Sequence, residues 1–210
     1  MDLKIDTFTE EQKDDAVIIL ASGSVARRTL LRQAGVECRV MPADIDEAAL
    51  KASLPELEPG ALAQALAAAK AACVSSRAPA ALVIGADQLL MCEGRQFDKP
   101  HDGQEAARHL RFLSGRTHIL VTAVCVYRAG VLLWSHVAEA RLTMRPLSED
   151  FVADYLAAEG ADVLGSVGVY RLEGRGAQLF TQIEGDFFTI LGLNLLPLLA
   201  FLREAGELPE

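Results

Sequence analysis

Apolar runs of strand length alternate with amphipathic segments along the first half of the chain. Residues 16–21, AVIILA, and residues 81–86, ALVIGA, are continuous apolar runs. Such runs are typical of strands in a sheet that is covered on both faces. Residues 59–75 and 102–113 instead carry apolar side chains at helical spacing. The alternation of the two patterns predicts an α/β fold.

The second half of the chain predicts an antiparallel hairpin followed by a glycine-rich region. Residues 119–127 and 131–144 have long strand patterns and are separated by a turn. In the glycine-rich region we expect short strands, with a hairpin turn at residues 173–176. The remaining predicted elements are a strand at 37–42 and helices at 148–158 and 195–203.

Length and composition favour one folded domain. The chain has 210 residues, of which 51% are hydrophobic, so a sizeable core is expected. Residues 1–15 read as a polar extension, and residues 16–210 contain no change of composition that would divide them. The net charge of −9 argues against a nucleic-acid polymer as partner and favours a small anionic ligand bound by local cations.

The sequence also bears on the location of the protein. The first residues are acidic and lack the basic segment and apolar run of a signal peptide. The most apolar stretch, residues 191–202, is shorter than the roughly 20 residues that cross a bilayer. The four cysteines are single and form no CxxC pair, so neither zinc nor a disulfide framework is indicated. We therefore expect a cytoplasmic protein without membrane association.

A turn of small residues connects the first apolar run to a helix that carries three arginines. The turn, SGS at residues 22–24, offers a helix N-cap, and Arg27, Arg28 and Arg32 follow it. Unpaired backbone N–H groups at a helix N-terminus attract anions, and nearby arginines add full charges. The turn is interpreted as an anion-binding entrance, with a solvated arginine face as the alternative.

Carboxylates and lysines supply the other candidate groups. Residues 43–47, ADIDE, form either a hard-oxygen cation site or an exposed loop that caps the next helix. Asp87 follows the second apolar run, where the end of a strand holds a carboxylate rigidly for metal ligation or proton abstraction; a turn or cap residue is the alternative. Lys70 is expected to face solvent unless a ligand uses it. Lys99, held extended by the proline after it, is expected to project from a loop.

Eight motifs resemble, in order and spacing, those of the Maf family of nucleoside triphosphate pyrophosphatases. The match extends from about residue 17 to the final helix. The motifs are LASGSVARRTLL, DIDE, LAAAKA, VIGADQ, FDKP, SGRTHILVTAV, GVYRLEG and IEGDFFTILGL. The resemblance implies a Maf or inosine triphosphatase-like fold, in which helices flank a mixed β-sheet with a deep central cleft. It also implies a homodimer that hydrolyses a nucleotide between its α and β phosphates and releases a monophosphate and pyrophosphate.

The resemblance further implies roles for individual residues. Asp87 matches the family's catalytic acidic residue, which activates the attacking water. Asp46 and Glu47 match an acidic pair that, with Asp87, would hold a divalent metal cation, Mg²⁺ or Mn²⁺. Cations and a carboxylate-held metal suit this reaction because a triphosphate must be neutralised before water attacks it. The residues that match phosphate-binding positions are Ser22, Ser24, Arg27, Lys70 and Lys99.

Several positions depart from the common family pattern. Ala26 stands where the family has the first of two arginines, and Arg28, one position later, is a candidate substitute. Gln88 replaces a threonine, Glu173 replaces a glutamine, and Asn194 replaces a proline. We take Ala26, Gln88 and Glu173 as candidate specificity residues.

Gln88 and Glu173 resemble the subgroup associated with 7-methyl-GTP rather than the one associated with dTTP and UTP. A carboxylate can accept hydrogen bonds from a guanine edge and favours a cationic methylated ring. The sequence therefore predicts a pyrophosphatase that removes modified nucleotides such as 7-methyl-GTP. The alternatives are a dTTP/UTP pyrophosphatase and a nucleotide-binding regulator of cell division with weak catalysis. The regulator is suggested by Ala26 and Ser166, which replace a usual arginine and a usual lysine.

Overall fold

A seven-stranded mixed sheet forms the centre of the structure, a computed structural model that describes residues 17–55 and 57–209. The strands are β1 (Ile18–Leu20), β2 (Arg39–Val40), β3 (Leu82–Cys92), β4 (Arg95–Phe97), β5 (Thr117–Arg128), β6 (Val131–Met144) and β7 (Phe180–Glu184). Their order in the sheet is β2, β1, β3, β5, β6, β7, and β4 also pairs with β3. β1 is parallel to β2 and β3, whereas the other pairs are antiparallel.

Helices cover both faces of this sheet, which confirms the predicted mixed α/β architecture. The α-helices are α1 (Val25–Gln33), α2 (Glu47–Ser53), α3 (Pro59–Ser75), α4 (Gly103–Leu113), α5 (Glu149–Glu159), α6 (Phe187–Ile190) and α7 (Leu195–Glu204). Two 3₁₀ helices span Gly160–Gly165 and Arg175–Leu179. Among the described residues, no helix combines the length and apolar character needed to cross a membrane.

Side-chain caps fix the start of five helices. Ser24, Asp46, Asp102, Ser148 and Asp186 each accept a hydrogen bond from the backbone N–H three residues later. Such caps satisfy a backbone donor that the first helical turn leaves unpaired. The helix starts at these positions are therefore encoded locally.

The two faces of the sheet carry different layers of the core. Leu62 and Leu66 of α3 pack against Leu89 of β3 on one face. On the other face, α1 and α7 pack against Leu82 and Ile84 of β3. Farther along that face, α4 and α5 cover the last part of β3 and neighbouring positions of β5 and β6. The central strand β3 is thus buried on both sides, as its apolar run predicts.

β3 is longer than predicted, so the expected position of Asp87 at a strand end is wrong. The strand continues to Cys92, and β5 pairs with it from Val83 to Met91. Leu89 and Leu90 are buried on opposite faces and extend the core past Asp87. Because this burial continues, the carboxylate is held in the middle of the strand.

One edge of β3 is covered only at its two ends. β1 pairs with residues 82–84, and β4 pairs with residues 90–92. Between them, residues 85–89 have β5 on one side and no strand partner on the other within 17–55 and 57–209. This opening in the sheet edge exposes Asp87 and Gln88 to a cleft.

The glycine-rich region is less extended than predicted. β7 pairs with the end of β6, but the two 3₁₀ helices replace the other expected strands. The hairpin turn predicted at residues 173–176 is wrong, because this segment leads into the second 3₁₀ helix. The segment folds tightly on itself: a Cβ atom on Gly176 would lie 2.4 Å from the carbonyl oxygen of Arg171.

Gly85→Ala is expected to destabilise the fold, because α3 lies directly against this position of β3. An added Cβ would lie 2.2 Å from the Ala67 carbonyl oxygen and 2.8 Å from the Ala71 Cβ. Overpacking of this kind costs about 1–3 kcal/mol in the free energy of unfolding, which urea denaturation measures. The control is Gly103→Ala, where an added Cβ meets no atom within 4 Å. Equal stability of the two variants would contradict the close helix–strand contact.

Candidate active site

A cleft of about 1160 Å³ opens beside the uncovered edge of β3. Its walls come from the turn before α1, from α2 and α3, and from the loops around residues 98, 170 and 190. The structure brings all the predicted site residues except Asp46 to this cleft. The predicted residues that line it are Ser22, Ser24, Ala26, Arg27, Glu47, Lys70, Asp87, Gln88, Lys99 and Glu173.

The turn before α1 orients Arg27 toward the cleft. Ser24 caps the helix, and its Oγ lies 3.4 Å from the backbone nitrogen of Arg27. Arg27 Nη1 donates to Ser22 Oγ at 3.0 Å, and Arg27 Nε donates to the carbonyl oxygen of Gly192 at 2.7 Å. Burial lowers the pKa of Arg27, and the carboxylates of Asp87 and Glu47 partly counteract this. The guanidinium is therefore fixed by two protein acceptors, with further N–H groups left over for a ligand.

Lys70 is buried and paired, contrary to the expectation that it faces solvent in the absence of a ligand. Its ammonium nitrogen lies 2.5 Å from Asp87 Oδ1 and 3.0 Å from Glu47 Oε2. Lys70 is 9% exposed and Asp87 is 7% exposed. A buried charge without a partner is costly, so each of these two groups depends on the other.

Lys99 places a further positive charge near Arg27 and Lys70 in the same cleft. Although its side chain reaches solvent, surrounding protein atoms desolvate its ammonium and lower its pKa. The positive charges of Arg27 and Lys70 lower the pKa of Lys99 further, and Glu47 and Asp87 oppose the effect. Mutual repulsion among three cations is relieved when a polyanion binds between them.

The two residues of the predicted acidic pair have different environments. Glu47 contacts Lys70 inside the cleft, whereas Asp46 does not line the cleft and is exposed. Asp46 Oδ1 accepts a hydrogen bond from the Ala49 backbone N–H at 2.9 Å. The capping role, one of the two interpretations of this loop, is what the structure shows for Asp46.

The donor set fits a divalent cation that is shared with a substrate. Within the described ranges, no group of three or more His, Cys, Asp or Glu side chains is arranged to hold a metal by itself. Glu47 and Asp87 are nevertheless brought together by their common contact with Lys70. Mg²⁺ is commonly bound by one or two carboxylates together with substrate phosphates. The residues present therefore suit a metal whose remaining ligands are phosphate oxygens and water.

Gln88 faces the opposite side of β3 from Asp87, because successive residues of a strand alternate. Its Nε2 donates to Thr122 Oγ1 at 2.8 Å, to the Thr189 carbonyl at 2.9 Å and to the Ile190 carbonyl at 3.1 Å. Since carbonyl oxygens only accept, the NH₂ group must be the end that faces α6. Only the amide oxygen of Gln88 is left for a ligand in this arrangement.

The other specificity candidates come from two different segments of the cleft lining. Ala26 is in α1, and Glu173 is exposed on the loop after Tyr170. Arg28 is exposed and is not part of the cleft lining, so this arrangement does not place it as a substitute for the arginine missing at Ala26.

The sequence reasoning missed the buried groups that support the cleft walls. Tyr170 lines the cleft, and its hydroxyl lies 2.7 Å from Nε2 of the fully buried His118. The preceding residue, Val169, has a φ of 60°, which is strained for a β-branched side chain. Asn194 and Thr189 form a second buried polar group behind α6. Patterning alone gave no signal for the contact between His118 and Tyr170, because these residues are 52 positions apart.

The fold and the cleft define a mixed α/β protein with a site in which Arg27, Lys70 and Lys99 lie near the carboxylates of Glu47 and Asp87. Residues 17–205 match the family model described as Maf-like protein. A 7-methyl-GTP pyrophosphatase of Rhizobium etli is 52% identical over 91% of this chain and 97% of its own length. A 7-methyl-GTP pyrophosphatase of Mesorhizobium japonicum is 51% identical over the same shares. A nucleoside triphosphate pyrophosphatase of Nitrobacter hamburgensis is 52% identical over 91% of this chain and 95% of its own length.

The chain therefore belongs to the Maf-like protein family. This confirms the family that the eight motifs indicated, and the mixed sheet flanked by helices agrees with the fold that the resemblance implied.

The stability of the protein is expected to fall as the pH decreases from about 6.5 to about 4, in part because of His118. Burial lowers the pKa of His118 from 6.5 to about 4, so the unfolded chain binds a proton in this range before the folded protein does. His118→Phe removes this contribution and should flatten the pH dependence of the free energy of unfolding. His101→Asn, at an exposed position, is the control. Unchanged pH dependence in His118→Phe would contradict the neutral buried state of His118.

Proposed function

We propose that this protein hydrolyses a nucleoside triphosphate to a nucleoside monophosphate and pyrophosphate. The observation that carries the proposal is the convergence of Arg27, Lys70 and Lys99 around Asp87 in one cleft. Family members of similar length at 52% identity are named 7-methyl-GTP pyrophosphatase and nucleoside triphosphate pyrophosphatase, which supports the same reaction here.

The triphosphate is bound by the turn before α1 and by the three cations. The N-terminus of α1 presents backbone N–H groups and positive partial charge to the cleft. Ser22 and Ser24 add hydroxyl groups, and the N–H groups of Arg27 that the protein does not use donate to phosphate oxygens. Lys70 and Lys99 neutralise the remaining charge from the other side of the cleft.

Asp87 is the proposed general base. A water molecule attacks the α-phosphorus, the bond from that phosphorus to the oxygen bridging to the β-phosphate breaks, and pyrophosphate leaves with that oxygen. The proton of the attacking water passes to Asp87 Oδ. Positioning and charge stabilisation supply most of the acceleration in phosphoryl transfer, so a rigid strand is a suitable support for this carboxylate.

Glu47 and Asp87 are the residues that would hold a divalent cation, Mg²⁺ or Mn²⁺. Such a cation supplies charge neutralisation at the phosphate oxygens. Lys70 lies between the two carboxylates and would have to yield one of these contacts as the cation binds. Asp46 as a ligand stays a prediction, and it would require release of the cap on α2.

A guanine nucleotide methylated at N7 is the proposed preferred substrate. The relatives named 7-methyl-GTP pyrophosphatase support this preference. Glu173 would accept hydrogen bonds from the guanine edge and favour the positive charge of the methylated ring. The amide oxygen of Gln88 provides a second acceptor, and the small side chain of Ala26 leaves space beside Arg27.

We propose a single domain over residues 16–210 after an extension of residues 1–15, a homodimer, a cytoplasmic location and no nucleic-acid or membrane partner. The family model over residues 17–205 supports the domain bounds.

The purified protein is expected to release pyrophosphate from 7-methyl-GTP in the presence of Mg²⁺ or Mn²⁺. Asp87→Asn should lower kcat by about 100-fold or more, since general-base catalysis contributes about 10²–10⁴. Asp102→Asn makes the same chemical change at an exposed cap of α4 and is the control for activity, with circular dichroism as the check of folding.

Each outcome of this assay discriminates among the candidate functions. Absence of pyrophosphate from every nucleotide tested contradicts the proposal, and tight nucleotide binding without hydrolysis indicates the regulator. Hydrolysis of UTP or dTTP alone contradicts the preference for 7-methyl-GTP. Full activity of Asp87→Asn removes Asp87 from the mechanism.

Glu173→Gln is expected to reduce discrimination between 7-methyl-GTP and UTP. Loss of a charged hydrogen-bond acceptor should lower the ratio of the two kcat/KM values by about 10- to 100-fold. Glu184→Gln makes the same change at an exposed residue of β7 outside the cleft lining and should keep the ratio. An unchanged ratio in Glu173→Gln would show that the base is recognised elsewhere.

A further inference from the structure

Asn194 occupies the N-cap position of α7 without capping that helix. Asparagine at this position ordinarily accepts a hydrogen bond from the first helical turn, but here its side chain makes no such bond. Nδ2 instead donates to the carbonyl oxygens of Thr122 at 2.9 Å and His136 at 3.3 Å, and Oδ1 accepts from Thr189 Oγ1 at 3.0 Å. Asn194 is 1% exposed, so all of these bonds are protected from water. They connect α6 and the start of α7 to β5 and β6.

The end of α6 is held to the sheet by a second set of bonds. Thr122 Oγ1 donates to the Thr189 carbonyl at 2.9 Å. Gln88 Nε2 donates to the same carbonyl and to that of Ile190. The turn at residues 191–193 is therefore anchored to the sheet on both sides, at α6 and at Asn194.

This anchored turn carries the carbonyl group that orients Arg27. Gly192 has a φ of +90°, a conformation that glycine adopts readily. Its carbonyl oxygen accepts from Arg27 Nε at 2.7 Å, and a Cβ on Gly192 would lie 3.4 Å from the same nitrogen. The guanidinium thus rests directly on the turn, and a shift of the turn would move its acceptor.

We propose that Asn194 is a positioning residue that fixes the Gly192 carbonyl and thereby orients Arg27 toward the substrate phosphates. The inference rests on the proposed function, in which Arg27 binds phosphate. It also connects two departures from the common family pattern. With Ala26 in place of the usual arginine and Arg28 outside the cleft lining, Arg27 is the arginine of α1 that lines the cleft, so the orientation of its guanidinium matters more. Asparagine in place of proline supplies a donor that the proline ring lacks.

The test compares Asn194→Ala with variants that separate positioning from stability. Thr189→Val removes the hydroxyl that contacts Asn194, whereas Thr189→Ser keeps it and is expected to behave as wild type. Leu198→Ala truncates a fully buried residue of α7 that takes no part in the hydrogen bonds of Asn194. It is the control for a loss of stability without a loss of these bonds. Kinetics are measured at a temperature where circular dichroism shows every variant to be folded.

Asn194→Ala and Thr189→Val are expected to lower kcat/KM about tenfold, mainly through a higher KM, because loosened phosphate contacts weaken binding. Leu198→Ala should lower the unfolding midpoint and leave KM unchanged. If Asn194 acts through Arg27, adding Asn194→Ala to Arg27→Ala should cause less than about a twofold further loss. Equal KM values for Asn194→Ala and wild type, or a full additional loss in the Arg27→Ala background, would overturn the proposal.

Binding of inorganic triphosphate, measured by calorimetry on wild type, Asn194→Ala, Arg27→Ala and the double variant, gives a readout that does not depend on hydrolysis. The expected result is a roughly tenfold weaker affinity in Asn194→Ala that disappears in the Arg27→Ala background. If the wild type hydrolyses no nucleotide, the proposed function fails and these affinities still decide the role of Asn194. A wild type that hydrolyses a nucleotide but does not bind triphosphate overturns the role of Asn194 and leaves the proposed function in place.

Discussion

The ion pair between Lys70 and Asp87 is the interaction on which the rest of the site depends. It joins α3 to the middle of β3, where both side chains are buried and neither could be left alone without a large desolvation cost. Gly85 allows α3 to lie directly against the strand, since a Cβ atom there would lie 2.2 Å from the Ala67 carbonyl oxygen. The close packing of α3 against β3 therefore also brings Lys70 to the carboxylate of Asp87.

Because side chains alternate along β3, Asp87 and Gln88 point to opposite faces of the sheet and contact different elements. Asp87 faces α3 and contacts Lys70, which also contacts Glu47, whereas Gln88 faces α6 and connects it to β5 through hydrogen bonds. One strand thus holds a carboxylate on one side and, through α6 and the turn at Gly192, supports Arg27 on the other. The opening between β1 and β4 is what brings both sides into one cleft.

The charge distribution explains how an acidic protein can bind a polyanion. The net charge is −9, yet Arg27, Lys70 and Lys99 lie together in the cleft. Desolvation and repulsion from Arg27 and Lys70 both lower the pKa of Lys99. A phosphate chain would relieve that repulsion, whereas the negative surface elsewhere disfavours larger polyanions.

The sequence by itself determined the family, the layered α/β architecture and most of the helix starts, because caps and apolar periodicity are local. Every site residue that it singled out, except Asp46, lines the cleft. Only the tertiary structure decided that Asp87 lies in the middle of a strand, that Lys70 is buried and that Asp46 serves as a cap. The contact between Arg27 and Gly192 joins residues 165 positions apart. The bond from Asn194 to the Thr122 carbonyl joins residues 72 positions apart. Such contacts cannot be predicted from the periodic spacing of apolar residues, because they depend on how distant elements pack.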